Sequence, residues 1–278
     1  ADPQLFGLNM WRSVGTSHFN EFQANVTHRY AGGLTLLGSL QLNNQKDADY
    51  FANPYDSTPT WEPSNNSMPY RITAATTYDL PFGKGRAFAN SGILSKILGG
   101  FQIASSWEHQ AGALLEFGNL FYIGDPTADN IKLKDPKYAN NLGAVPGGYN
   151  YIQWLNVGDV TATYDKTTGT CTYSGTGFVT NPNCQPNGYN SRAFPHRIAG
   201  LRQQALDTLQ ASVQRKFRLS ERFGLELRCD AFNVLNHQVL AAPITSPTAS
   251  NFGQIIGDSG VNTAGGARWI NVQVRLRF

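Results

Sequence analysis

The chain has 278 residues and a net charge of +3, with only 15% charged residues against 41% hydrophobic and 12% aromatic ones. A charge that small, without any Lys/Arg block, makes no case for a nucleic-acid partner, so none is expected, and no run approaches the ~18 consecutive apolar residues of a spanning helix. Twenty-eight Gly, 14 Pro and 12 Tyr, with a mean hydropathy of −0.33, predict many turns and many strands, and leave open a β-barrel, in which only every second residue is apolar.

Residues 1–16 have no period and read as loop. Alternation begins at Asn20: Phe22, Ala24, Val26, His28 and Tyr30 share one face, and Glu21, Gln23, Asn25, Thr27 and Arg29 the other. Ala31-Gly32-Gly33 is a tight turn into a second run, with Leu34, Leu36, Gly38, Leu40 and Leu42 opposite Thr35, Leu37, Ser39, Gln41 and Asn43. Residues 44–68, with Pro54, Pro59 and Pro63, read as a polar loop. A third run sets Tyr70, Ile72, Ala74, Thr76 and Tyr78 against Arg71, Thr73, Thr77 and Asp79. After LPFGKGRAF (80–88) an apolar piece, Ile93 to Leu98, is long enough for one or two helical turns. A fourth run alternates Phe101, Ile103, Ser105 and Trp107 with Gln102, Ala104, Ser106 and Glu108.

Residues 112–202 differ: rich in Gly, Asn, Pro, Tyr and Thr, with short strand candidates at Tyr151–Val157 and Val160–Tyr164. The stretch is too long for a structureless loop and is expected to carry hairpins of its own. Twelve residues separate Cys171 from Cys184, a candidate disulfide loop that requires an oxidising compartment, the alternative being two free thiols. Alternation resumes with Leu209, Ala211, Val213 and Phe217 opposite Gln210, Ser212, Gln214, Lys216 and Arg218; Arg215 falls on the apolar side, where its head can snorkel to an interface. Leu225, Leu227, Cys229 and Ala231 then oppose Glu226, Arg228 and Asp230, a loop spans about 236–266, and Ile270, Val272, Val274, Leu276 and Phe278 oppose Asn271, Gln273, Arg275 and Arg277.

Seven strands therefore alternate between short connections (31–33, 82–99, 220–223) and long ones (44–68, 112–202, 236–266). Transmembrane barrels combine short periplasmic turns with long outer loops, and strand segments of about ten residues that are apolar toward lipid and polar toward the lumen. The pattern predicts an all-β fold: a partial, antiparallel up-and-down transmembrane barrel of about seven to eight strands with long extracellular loops, residues 112–202 forming a large extracellular excursion. Tyr30, Tyr70, Tyr78, Trp107 and Phe278, near strand ends, suit aromatic girdles.

Several stretches match a known family: LPFGKGRAF (80–88), ILGGFQIASSW (97–107), SVQRKFRLSERFGLELRCDAFNVLNH (212–237), NFGQI (251–255) and the terminal RLRF. In this order they resemble the C-terminal barrel region of TonB-dependent outer-membrane receptors, most of all the Oar-like branch with its N-terminal carboxypeptidase-regulatory-like domain. The resemblance covers most of the chain, 112–202 only loosely. It implies a bacterial outer-membrane location, a barrel of about 22 strands around an N-terminal plug, and a short box that engages TonB. It also implies that Ile270, Val272, Val274, Leu276 and Phe278 form the C-terminal signal read by the barrel assembly machinery. Neither plug nor box is recognisable, and Ala1 to Met10 lacks the basic start and apolar core of a secretory signal, so residues 1–278 are expected to be the C-terminal portion of a longer barrel. Outer-membrane lipid, the rest of the barrel and plug, and TonB acting through the missing N-terminal region are the implied partners.

No motif points to covalent chemistry. Gly257-Asp258-Ser259-Gly260 resembles a serine nucleophile loop but is followed by Val261 and has no His context, so a turn-rich loop is expected. Gly83-Lys84-Gly85 lacks the other parts of a phosphate loop. His18, His28, His109, His196 and His237 have no metal-ligand spacing, and Asp47, Asp49 and Asp56 lack the Gly-containing calcium-loop pattern; no metal or cofactor is expected. The leading functional expectation is a receptor and transporter whose long loops capture an unknown ligand. Arg71, Glu108, Gln214, Lys216, Arg228, Arg275 and Arg277 would line its lumen. Alternatives are a barrel anchor displaying a surface-interaction module without transport, marked by the lack of an upstream plug, and a soluble all-β binding protein, marked by extraction without detergent.

Overall fold

The computed structural model describes residues 13–53, 55–134, 138–139, 151–186, 192–218, 220, 222–256 and 267–278. Each alternating run becomes a long strand: β1 Thr16–Arg29, β2 Leu34–Tyr50, β3 Arg71–Asp79, β4 Phe101–Gln110, β5 Leu206–Arg218, β6 Gly224–Phe232 and β7 Trp269–Arg277. Every strand pairs antiparallel with the next in sequence, so the sheet is a pure up-and-down meander. A short strand, Thr60–Pro63, adds to the far end of β2.

The register keeps like faces together across the whole wall. One row runs His28, Leu36, Thr76, Ser105, Ala211, Ala231, Ile270; a row on the opposite face runs Arg29, Thr35, Thr77, Ala104, Ser212, Asp230, Asn271. A slip of one residue in any ladder would mix the two faces. The apolar face is bare: Ile270, Val272, Val274 and Leu276 are 63%, 69%, 65% and 64% exposed. Branched apolar side chains in that state gain none of the ~25 cal/mol per Å² that burial from water supplies, so this face calls for an apolar solvent. The sheet is not closed. Among the described residues β1 pairs only with β2, and β7 only with β6, leaving an unpaired edge on each side.

The short connections are tight. Tyr30 N–H donates to Leu34 O at 2.8 Å, and Gly33 closes the turn with φ +84°. The 80–100 connection carries the helix Gly92–Leu98. Gly83, at φ +110°, presses against Gly99 so closely that a Cβ would stand 2.6 Å from the Gly99 Cα, which accounts for glycine at this point of LPFGKGRAF.

Two expectations need correction. Residues 44–50 are strand rather than loop: β2 continues to Tyr50, with 44–48 paired to Thr16–Asn20 of β1 and Tyr50 to Thr60. Alternation stops near Asn43, yet backbone hydrogen bonding does not require it once both faces are polar. Nor are the described residues of the 236–266 stretch, 236–256, only loop. Gln254–Ile256 pairs with Tyr151–Gln153, which also pairs with Tyr138–Ala139. Leu240, Phe252 and Ile255 share a core with Leu115, Phe117, Leu120, Ile131, Trp154, Leu155, Phe178, Phe194 and Leu201. Two excursions separated in sequence by the hairpin of β5 and β6 thus fold as one cap at the long-connection ends of the strands. Inside it Thr161–Asp165 and Thr170–Ser174 form a hairpin, and Leu114–Glu116 pairs with the sequence-distant Arg197–Arg202. Phe178 meets Phe252 edge-on at 4.9 Å and Phe117 meets Phe194 at 5.3 Å.

Candidate functional site

The polar face of the wall holds all seven polar residues singled out from the sequence, Arg71, Glu108, Gln214, Lys216, Arg228, Arg275 and Arg277, because the registers put odd-numbered positions of β3 and β7 beside even-numbered ones of β4, β5 and β6. Arg71 Nε donates to Glu108 Oε1 at 2.8 Å across β3 and β4. Gln214 donates to Gln102 Oε1, and Gln102 Nε2 donates to Asp79 Oδ1 at 2.9 Å, a chain across three strands that ends 3.6 Å from Arg86. Arg228 pairs with Asp230 at 2.8 Å and Arg277 with Glu226 at 2.6 Å. Lys216 and Arg275 sit opposite Glu226 in register; among the described residues neither has an ion-pair partner.

Between these charges the face is hollowed. Small residues, Ala75, Thr77, Ala104, Ser106 and Ser212, floor one cavity of about 310 Å³, and a second of about 500 Å³ reaches from Asn25 to Glu108 and Gln210. The arrangement can present alternating donors and acceptors to a polar solute or polypeptide. Among the described residues no group of three or more His, Cys, Asp or Glu is placed to hold a metal. The Gly257–Gly260 stretch lies outside the described residues.

Where the wall meets the cap, Glu62 is buried and is met by the Arg197 guanidinium and the His196 ring. His196 Nδ1 lies 3.0 Å from its carboxylate and Arg197 Nη1 another 3.0 Å, and Arg197 Nε reaches on to Glu116 at 2.9 Å. The Tyr50 ring is 5.0 Å from His196. Arg192 N–H donates to Asn53 Oδ1 at 2.7 Å, and Arg202 Nη1 donates to the carbonyls of Ser67 at 2.8 Å and Gly112 at 3.0 Å. These bonds fasten the 51–70 connection to the cap, so the connection has a fixed shape beside the mouth. Sequence reading missed the cluster because its members are far apart in sequence, Asn53 and Arg192 by 139 residues; the one cue was a His-Arg pair within the turn-rich stretch.

Cys171 and Cys184 form a disulfide that ties the strand Thr170–Ser174 to the single turn Pro182–Cys184. Cys229 is exposed on the apolar face. Arg215 behaves differently from expectation. It does not snorkel: its side chain is buried, its guanidinium donates to the carbonyls of Lys96 and Ile97, and it stacks 4.9 Å from Phe101 and 3.9 Å from Phe217. The last turn of the helix Gly92–Leu98 leaves carbonyls without intrahelical partners, and a planar guanidinium satisfies two at once. On the apolar side of the wall this cation is used to dock a turn.

Aromatic residues gather at both ends of the wall. Tyr30, Tyr78, Phe101, Phe217 and Phe278 lie toward the short turns. Tyr70 and Trp107 lie toward the cap, where Phe232 stacks on Trp269 at 4.4 Å and Trp107 Nε1 donates to Asp207 at 2.7 Å. His109 and His237 flank the same Asp207 at 4.0 and 3.3 Å.

A family model described as an outer membrane beta barrel domain matches residues 2–271. No curated protein and no solved structure matches the chain.

Proposed function

Because the chain belongs to the outer membrane beta barrel domain family and resides in the bacterial outer membrane, we propose that it supplies wall strands and ligand-capturing outer loops to a TonB-dependent receptor that imports a polar solute. One observation carries the reading. Every short connection lies at one end of the meander and every long one at the other, where the long ones form a folded cap beside a hollowed, charged face. Short periplasmic turns and long outer loops are the barrel pattern, so the cap is placed outside and the polar face toward the lumen. The stretches that resemble the Oar-like receptors lie in the wall and its turns, which agrees with the same reading. The open edges of β1 and β7 call for further strands, and a plug within the closed ring would face Arg71, Glu108, Gln214, Lys216, Arg228, Arg275 and Arg277. β7 carries the assembly signal, with Ile270, Val272, Val274, Leu276 and Phe278 toward lipid. The reading assigns the chain no covalent chemistry, metal or cofactor.

A second reading, a barrel anchor that displays the cap as a surface-interaction module without transport, draws on the cap's own buried core and disulfide. Site-specific photo-crosslinking of the full-length protein in cells separates the two. The receptor reading predicts an adduct with TonB at the periplasmic side that is lost when the tonB gene is deleted. A heat-modifiable outer-membrane band with no TonB adduct would transfer the assignment to the anchor.

A further inference from the structure

A cavity of about 650 Å³ opens where the far end of β2 and the segment before β3 meet the cap strand Arg197–Arg202. Three cations line it, Lys46, Lys132 and Arg202, and no carboxylate does. Among the described residues none of the three is in an ion pair. This sets the cavity apart from the wall face, where most charges are matched, and from the junction at Glu62, where Arg197 meets a carboxylate.

The geometry is held. Arg202 Nη1 donates to the carbonyls of Ser67 and Gly112, which fixes the guanidinium plane and leaves its other nitrogens for a different acceptor. Burial without a neighbouring carboxylate pulls the Arg202 pKa below its ordinary value, the mark of a cation whose desolvation is uncompensated. Lys132 Nζ stands 5.5 Å from the Trp154 ring. Asn43 Oδ1 accepts from Met68 N–H at 2.9 Å, which turns its amide hydrogens toward further acceptors, and Tyr70 and Gln203 complete a polar lining. Three like charges around one space repel one another, and an anion placed among them relieves all three; a dianion matches them better than a single carboxylate. The volume admits a ligand of sugar size.

We propose that this cavity binds a phosphate-type oxyanion carried on a polar ligand, with Lys46, Lys132 and Arg202 as its cationic partners. Two sources share that chemistry, a soluble phosphate ester and the phosphorylated headgroup of a membrane lipid. The proposal is independent of TonB.

The test uses the full-length protein in detergent, titrated by calorimetry with inorganic phosphate and with glucose 6-phosphate. A parallel arm uses the protein in nanodiscs of phosphatidylcholine alone or mixed with phosphatidylglycerol, read by thermal unfolding. Saturable heat with the soluble probes assigns a soluble ester, and a rise in unfolding temperature confined to the anionic nanodiscs assigns a lipid headgroup; either supports the site. In the double variant K46Q/K132Q the response falls at least about tenfold, whereas K132R, which keeps the charge, and K166Q, in the cap's hairpin turn, retain it. Arg202 is left intact because its carbonyl bonds hold the cap. No saturable response in either arm of the wild type, or an undiminished response in a folded K46Q/K132Q, would overturn the proposal.

Discussion

The wall and the cap are built from the same residue types under opposite rules. In the wall, branched apolar side chains stand on an open face, with Val272 at 69% exposure; in the cap, Leu155, Ile131, Leu201 and Val179 are all at 0%. The wall has long strands of 9 to 17 residues that keep a two-residue period everywhere but at the far end of β2. The strands of the cap have 2 to 6 residues, no sustained period, and a core assembled from side chains distant in sequence. The difference is that of two solvents. Lipid supplies an apolar surrounding to any side chain that points outward, so the wall needs only alternation and complete ladders. Water supplies nothing of the kind, so the cap has to bury its own apolar groups, and it adds a disulfide and the buried Arg197–Glu62 ion pair.

That comparison can be broken first where the cap is densest. Leu155→Ala removes a fully buried side chain and is expected to destabilise the cap by about 2–5 kcal/mol. The measurement is limited proteolysis of intact cells. The cap should become sensitive while the wall keeps its heat-modifiable mobility; loss of both together would mean that wall and cap are one cooperative unit. The matching change in the wall is Val272→Arg, which sets a charge on the lipid face and is expected to cost about 2–4 kcal/mol near the bilayer midplane, with Gln273→Arg on the other face nearly neutral. Denaturant unfolding in lipid vesicles reads the difference, and equal costs at the two positions would refute the assigned faces.

Cys171→Ser opens a loop with a sequence separation of 13 and is expected to loosen the hairpin by up to about 3 kcal/mol on the chain-entropy account. Hydrogen exchange should rise at 161–174 and stay unchanged in β1 to β7. The smallest effect concerns Asp165, whose carboxylate accepts the backbone N–H of Thr167 at 2.7 Å, a bond that holds its pKa below the ordinary value. A depressed folded value stabilises the turn above the unfolded value, and that contribution is lost as pH falls through the folded one. Exchange of the Thr167 amide should therefore accelerate, relative to its intrinsic rate, only at the acid end; an unchanged protection factor there would show that the carboxylate does not order the turn.

How much of this was legible in the sequence follows from the same contrast. All seven wall strands announce themselves because lipid imposes a period of two on every residue that crosses it, and the polar face of β3 to β7 could be read position by position. The continuation of β2 through Asn44–Tyr50 was hidden because a ladder in water needs hydrogen bonds but no alternation. The joining of 236–256 to 112–202 was hidden for another reason. Leu240, Phe252 and Ile255 are isolated apolar residues in a stretch rich in turn formers, and nothing local tells that Leu155 and Phe178 are their neighbours. Arg215 shows the limit within the wall itself. Its parity put it on the apolar face, but its destination, two carbonyls of a seven-residue helix more than a hundred positions earlier, is a tertiary fact. The junction around Glu62 is of the same kind, since a carboxylate in a Pro-flanked loop gives no sign that His196 and Arg197 will close on it.

The central claim is that one face of the meander meets lipid and the other a polar lumen. Spin labels placed one at a time from position 270 to 277, in a Cys229→Ala background, measure it directly through collision rates with oxygen and with a water-soluble nickel chelate in native outer membranes. The account predicts a two-residue oscillation, with oxygen maxima at 270, 272, 274 and 276 and nickel maxima at 271, 273, 275 and 277. Rates that fail to oscillate, or oscillate in the opposite phase, would contradict it.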